Sequence, residues 1–431
     1  MRRQVLFIAA ANAVLLSGCT TMKPADPSMN AAAERYVKLV LAVGEHDADY
    51  VDAYYGPAAW RAEANEAKRP LPGIHSDALA LGDALRATAV PADPMLALRR
   101  NYLTRQTEAL LTRVEMLEGK KLTFDEESKA LYDAVAPHHP EAYFQGLLAD
   151  LEKELPGGGS LGQRIETYRS AFVIPKEKLD AVFKEAIAAC RARTLEHMAL
   201  PPGETFTVEY VTNKSWSGYN WFKGNYTSLI QVNTDLPIFI DRAIDLACHE
   251  GYPGHHVYNT LLEKNLVRDR GWVELSVYPL FSPQSLIAEG SANYGIDVAF
   301  PAQERIDFEK AHLFPLAGLD ASRAAQYYRI QELTSKLGYA GNEAARRYLD
   351  GEIDATAAAD WLTRYALMAP ERARQRVRFI DQYRSYVINY NLGKDLVAQY
   401  VERHSASNPQ TRWRVFADLL SSPRLPSALT Q

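Results

Sequence analysis

A chain of 431 residues has length for about two to three average domains or for one large single-core fold. With 47% hydrophobic and 23% charged residues it lies in the ordinary globular range, which excludes wholesale disorder and a collagen-like fibre. Forty-eight basic residues face 53 acidic ones, and a net charge of −5 argues against a broad phosphate-seeking surface, so nucleic acid is not an expected partner. Three cysteines cannot make a disulfide framework. Cys19 is assigned below, and Cys190 and Cys248 are expected to be thiols unless the fold brings them together.

The chain opens with Met1-Arg2-Arg3, an apolar run from Val5 to Leu16, and Leu16-Ser17-Gly18-Cys19. A charged start, a short apolar middle and small residues at the end are the layout of a secretory signal, here residues 1–18. The run is too short to span a bilayer comfortably. Leu-Ser-Gly-Cys resembles a bacterial lipobox, which implies cleavage before Cys19 and acylation of that cysteine. Thr20 follows it, and the absence of Asp there resembles lipoproteins retained at the outer membrane, facing the periplasm. Residues 19–32 read as a lipidated tether. No second long apolar stretch follows, so the body is expected to meet the membrane through lipid alone.

Beyond the tether, apolar residues recur at helical spacing in Tyr36, Val37, Val40, Leu41 and Val43, and again in Leu96, Leu103, Leu110, Val114 and Leu117. Thr123-Phe-Asp-Glu126 and Ser160-Leu-Gly-Gln163 are capping-box patterns, which predict helix starts near 124 and 161. Pro156-Gly-Gly-Gly-Ser160 reads as a loop between helices rather than a domain boundary, because helical periodicity resumes on both sides. Between Pro201 and Pro237 the texture changes to β-branched and aromatic residues with turn signals: Phe206–Val211, Trp216–Tyr226 and Ser228–Thr234. Two or three short strands are predicted there. Helical patterning then covers Ile238–Val267, Pro283–Phe300, Arg305–Leu337 and Ala355 to about Arg403. The fold class is mainly α, a single large helical body over 33–425 with a small sheet beside its chemically richest segment.

That segment is Asp245-Leu-Ala-Cys-His249-Glu250-Gly-Tyr-Pro253-Gly254-His255-His256. In the common zinc-hydrolase arrangement, histidines at i and i+4 on one helical face bind zinc, and the glutamate after the first acts on water. Here the i+4 position is Pro253, so the strict motif fails. In a regular helix His255 would lie about 9 Å along the axis from His249 and about 120° round from it, and His256 about 10.5 Å away. Ligating nitrogens must approach within about 4 Å of each other. Pro253, however, disfavours a regular helix by clashing with the carbonyl of residue 249, and Gly254 accepts whatever dihedrals a break demands. A bulge absorbing two residues would return His255 to the place of an i+4 histidine.

His-Glu-x-x-Pro-Gly-His-His resembles the signature of the bacterial hydrolase-like family numbered 885 among the domains of unknown function, which looks like a divergent branch of the glutamate-zincin metallopeptidases. The resemblance extends to Ile230-Gln-Val-Asn-Thr234, similar to the family's Tyr-Val-Asn-Thr strand, to Ala288-Glu289-Gly290-Ser-Ala-Asn-Tyr294, and to Tyr390-Asn-Leu-Gly393. Ser291 stands where the family has Trp, and Arg384-Ser-Tyr-Val where it has Pro-Gly-Gln-Ala, which leaves substrate preference open. The resemblance implies a zincin-like fold with a deep central channel and one zinc ion, bound by His249, Glu289 and one of the two adjacent histidines, His255 being the preferred ligand. It implies Glu250 as the general base that takes a proton from water and hands it to the leaving amine. The remaining histidine, His256, is then expected to hydrogen-bond near the reacting groups.

A developing oxyanion needs a donor besides the metal, and Tyr390 and Tyr386 are the first candidates. Arg378 is the expected partner of a substrate carboxylate, and Asn233 lies on a strand whose edge an extended substrate would join. Cys248 is expected to be packing. His138-His139, flanked by Pro137 and Pro140, reads as a loop. The leading expectation is a zinc metallopeptidase acting on short peptides. Its rivals are a zinc hydrolase of a non-peptide amide, cyclic ester or oxazoline, and a non-catalytic periplasmic binding lipoprotein with a degenerate site.

Overall fold

The computed structural model describes residues 27–214 and 216–430. The expected signal peptide and Cys19 lie outside the described residues. Helix accounts for 68% of the chain and strand for 7%, the mainly-α class with a small sheet that the sequence pattern predicts. Buried side chains from Met29 in the first helix to Leu429 near the end belong to one continuous core, with a small satellite around Leu362 and Val377.

Local chemistry explains where elements start. Thr123 and Ser160 each form a complete capping box, with Glu126 and Gln163 returning the bond, so helices run Phe124–Tyr132 and Leu161–Ser170 as expected. The first helix, Pro27–Gly44, starts inside the stretch read as tether. The reason is packing: Met29 is buried, and Asn30 Oδ1 accepts a 2.8 Å bond from Arg99, whose guanidinium also grips Glu274 at 2.6 and 3.0 Å in the core. The predicted Arg305–Leu337 helix is divided. Gly318 takes a left-handed φ of 71° after the helix Phe314–Ala317, and a new helix, Ala324–Lys336, follows. The predicted Ala355–Arg403 helix likewise breaks into Ala355–Tyr365, Pro370–Tyr383 and Ile388–Ser405.

Among the described residues five strands form two sheets. β1 (Val51–Tyr54) pairs antiparallel with β5 (Val277–Pro279), which leads directly into the helix Pro283–Ala299 that carries Glu289. β2 (Thr205–Val211), β3 (Gly218–Gly224) and β4 (Thr227–Asn233) make a sheet of order β2-β4-β3, parallel on one side of β4 and antiparallel on the other. β4 is therefore central, which corrects the expectation that its edge is free for a substrate. β2 and β3 are the edge strands.

The helix bearing Glu289 and the late helix Ile388–Ser405 cross at two glycines. A Cβ on Gly290 would fall 2.4 Å from the carbonyl carbon and oxygen of Gly393, and one on Gly393 would fall 2.8 Å from Leu286 O. The backbones touch, so the glycines of the Glu-Gly and Tyr-x-x-Gly segments have one physical purpose: they let two helices approach closely enough to bring Glu289 beside Tyr386. Gly290→Ala should lower stability by at least about 1–3 kcal/mol through overpacking. Thermal unfolding checks this, and a wild-type melting temperature in that variant would contradict it.

Candidate metal centre

The motif helix begins regularly at Asp241–Leu246, loosens into a π-turn over Ala247–Gly251, stops, and resumes at His255–Leu262. Its hydrogen bonds record the slack: Tyr252 N donates to Ala247 O, and Gly254 N to Cys248 O, five and six residues back rather than four. The Tyr252–Pro253 bond is cis. Gly254 is held so tightly that a Cβ would fall 1.9 Å from His249 O, which only glycine tolerates. The two extra residues seat His255 beside His249, with ring centroids 4.7 Å apart.

Glu289 completes the group. Its Oε2 lies 3.5 Å from His249 Nε2 and 3.9 Å from His255 Nε2, and one ligand atom from each residue lies within 4.8 Å of the others. Ligands of a tetrahedral zinc with bonds of about 2.05 Å stand about 3.3 Å apart, so the spacing suits such an ion. Oε1 of Glu289 accepts a 2.9 Å bond from Tyr386 Oη, whereas the buried Oε2 has no hydrogen-bond partner among the described residues. An orphaned buried carboxylate oxygen facing two imidazole nitrogens fits a bound cation. Side-chain exposures of 16%, 13% and 11% for His249, His255 and Glu289 describe a recess that solvent still reaches.

The titration behaviour is consistent with that donor set. Burial, then the repulsion of His249, pushes His255 down to about 4, so it stands as the neutral imidazole a metal requires. Burial opposes charge on His249 and Glu289, but the contact between them prevails, holding His249 above the usual histidine value and Glu289 below the usual carboxylate value. Glu250 is buried, and desolvation, reinforced by the charge of Glu289, pushes it up to about 7. β3 passes close by: Asn220 donates to Glu250 O at 2.7 Å, and a Cβ on Gly218 would come within 2.9 Å of Glu250 Oε1.

Of the predicted site residues, His249, Glu250, His255 and Glu289 gather here, and Tyr390 joins them. Its ring lies 5.8 Å from that of Tyr386, and it feels the charges of Glu289 and Glu250. Others fall elsewhere. His256 is fully buried, with Nδ1 2.9 Å from Ser228 Oγ and Nε2 3.0 Å from Glu204 Oε2, which ties the motif to the sheet and leaves neither nitrogen for a catalytic bond. Tyr386, by contrast, stands in the site, its hydroxyl donating to Glu289 Oε1. The Asn233 amide donates to Lys214 O and Trp216 O, and its Oδ1 accepts from Asp235 N, so it braces a loop. Arg378 is exposed on the outer side of its helix. Cys190 and Cys248, expected as thiols, form a disulfide with Cα atoms 5.7 Å apart, joining the helix Leu179–Leu195 to the π-turn.

Two residues of the recess escaped the sequence reading. Asp52, on β1, accepts a hydrogen bond from Tyr219 on β3 and is raised to about 7 by burial and by the charges of Glu289 and Glu250. Nothing in Tyr50-Val-Asp-Ala-Tyr54 marks it, because its position follows from the pairing of β1 with β5, more than 200 residues on. Arg376 lies beside Tyr390 and Phe379. The inward stripe of Ala373, Val377 and Ile380 would have identified it over Arg378, since two residues turn a helix by about 200°.

No family model matches the chain, and no curated protein does. Solved structures do. A "putative lipoprotein" from Colwellia psychrerythraea is 14% identical, with a TM-score of 0.50 over 85% of this chain and 70% of that one. Metallocarboxypeptidase 1 of Trypanosoma cruzi is 12% identical, with a TM-score of 0.46 over 94% and 89%. A "putative lipoprotein of unknown function" from Shewanella oneidensis is 11% identical, with a TM-score of 0.44 over 90% and 82%. The first of these shows a shared fold.

Removing the hydroxyl that steadies Glu289, in Tyr386→Phe, should weaken zinc binding on the order of tenfold. Competition against a chromophoric chelator measures this, and unchanged affinity would remove the orienting role. A second expectation concerns Asp52. Its folded-state pKa is raised, so the stability it contributes is complete below the ordinary carboxylate range and is lost as pH rises to about 7. Chelator-treated Asp52→Asn protein should therefore lose less melting temperature between pH 5 and 8 than chelator-treated wild type, and equal slopes would contradict it.

Proposed function

We propose that the chain is a zinc-dependent hydrolase of amide bonds, a metallopeptidase acting on short peptides, tethered through lipid at Cys19 to the periplasmic face of a bacterial outer membrane. The observation that carries this reading is the unpartnered Oε2 of Glu289 facing the Nε2 atoms of His249 and His255, with the Glu250 carboxylate in the same recess. Three protein donors leave a fourth position open, the mark of a catalytic rather than a structural zinc site. A zinc ion held there supplies Lewis acidity and acidifies water.

The chain's own residues do the rest. Glu250 takes a proton from the attacking water as its oxygen bonds to the scissile carbonyl carbon. It then passes that proton to the amide nitrogen as the C–N bond breaks. Tyr390 donates its hydroxyl hydrogen to the carbonyl oxygen as negative charge develops there. Its hydroxyl makes no hydrogen bond within the described residues, so it is available for that bond. The edge strand β3, which passes Glu250, is where an extended peptide would lie.

Three observations favour the location. The Cys190–Cys248 disulfide belongs in an oxidising compartment. Among the described residues no helix is long and apolar enough to cross a membrane, which fits attachment through lipid. The fold is shared with a chain described as a "putative lipoprotein".

Purified wild type should carry stoichiometric zinc and generate new termini in a mixed peptide pool read by mass spectrometry. Glu250→Gln should keep its zinc and lose turnover by roughly 10²–10⁴-fold, while His249→Ala and Glu289→Ala should lose the metal. A zinc-free wild type, or an active Glu250→Gln, would overturn the proposal.

A further inference from the structure

The helix Pro370–Tyr383 buries Ala373, Val377 and Ile380. Beside that stripe stand two arginines one turn apart, the exposed Arg372 and the half-buried Arg376. The Arg376 guanidinium lies 4.5 Å from the Phe379 ring centroid and 5.9 Å from that of Tyr390, the hydroxyl-bearing ring of the metal recess. A third arginine, Arg242, is near enough to act on both Arg372 and Glu250. Arg242 has its own counter-ion, Asp245, at 3.0 Å. Arg372 and Arg376 make no ion pair and no hydrogen bond with any described residue.

A guanidinium stays charged at any working pH, and withdrawing one from water without an anion is costly. Burial is the main cause that pulls Arg376 below the ordinary arginine value, and the charge of Arg372 adds to it. Two neighbouring cations with no carboxylate to share, at the wall of a recess that is otherwise acidic through Asp52, Glu250 and Glu289, form a receptor for an anion. The planar fork of arginine matches a carboxylate bidentately.

We infer that Arg376, with the more exposed Arg372 one helical turn away, receives the free carboxylate at the C-terminal end of the short peptide substrate. The inference rests on the hydrolase reading and narrows it: the chain's cuts fall close to a substrate's C-terminus, and peptides blocked at that end are poor ligands.

Zinc-loaded Glu250→Gln protein, with and without Arg376→Gln, is titrated calorimetrically with N-acetyl-alanyl-alanine, with its C-terminal amide, and with N-acetyl-alanyl-glutamate amide. The free acid should bind on the order of 10- to 100-fold more tightly than its amide. Arg376→Gln should remove that preference by weakening the acid alone, and Arg376→Lys, which keeps charge but not the fork, should restore part of it. Zinc content should not change, since the guanidinium's contacts among the described residues are with the Phe379 and Tyr390 rings and not with a metal-site residue. Equal binding of acid and amide, a preference that survives Arg376→Gln, or no detectable binding of any probe would overturn the assignment. Glutamate amide binding as tightly as the free acid would overturn the terminal position. A wild type that cleaves no peptide would defeat the hydrolase reading separately, since this titration needs no turnover.

Discussion

Everything at this centre depends on two residues of slack in one helix. A regular helix from Asp241 through Leu262 would hold His249 and His255 apart and turn their rings to different sides. Pro253 cannot continue the hydrogen-bond ladder, and the bonds from Tyr252 and Gly254 reach back five and six residues instead. The cost of that irregularity is offset by anchors on either side. His256 and Tyr252 meet Glu204, Cys248 is joined to Cys190, and Asn220 holds the Glu250 carbonyl. The adjacent histidines thus have opposite tasks. One faces Glu289, and the other secures the turn that lets it do so.

The second constraint is the contact of two backbones. Gly290 and Gly393 bring their helices together, and the same crossing sets Tyr386 against Glu289. Segments that read as separate short motifs are parts of one contact, made by residues about a hundred positions apart. Glu289 depends on it for orientation, since Tyr386 is the only described donor to its Oε1, while its Oε2 is left directed at the histidines.

What was legible in the sequence was local. Capping boxes at Thr123 and Ser160 involve residues three apart, and both helices start where they predict. The break at Pro253-Gly254 was readable because each residue has a strong backbone preference. Non-local pairing was not readable. β4 alternates buried and half-buried residues in a way that suits an edge or a centre equally, and only the parallel partner β2, reached across β3, makes it central. Asp52 is placed by a strand paired across the length of the chain. Arg376 and Arg378 differ only in helical phase, and the apolar stripe that sets the phase is short. The disulfide required knowing that the helix Leu179–Leu195 packs against the π-turn.

The late helix and the turn that leads into it supply no atom to the metal-binding triad, yet through Gly393 and Tyr386 they steady one of the three. A truncated fragment ending after the helix Pro283–Ala299 would contain both histidines, the base and the carboxylate, and would still lack the brace that aims the last of them. For this molecule the smallest working unit is set by what supports the ligands, and it reaches well past the final ligand in the chain.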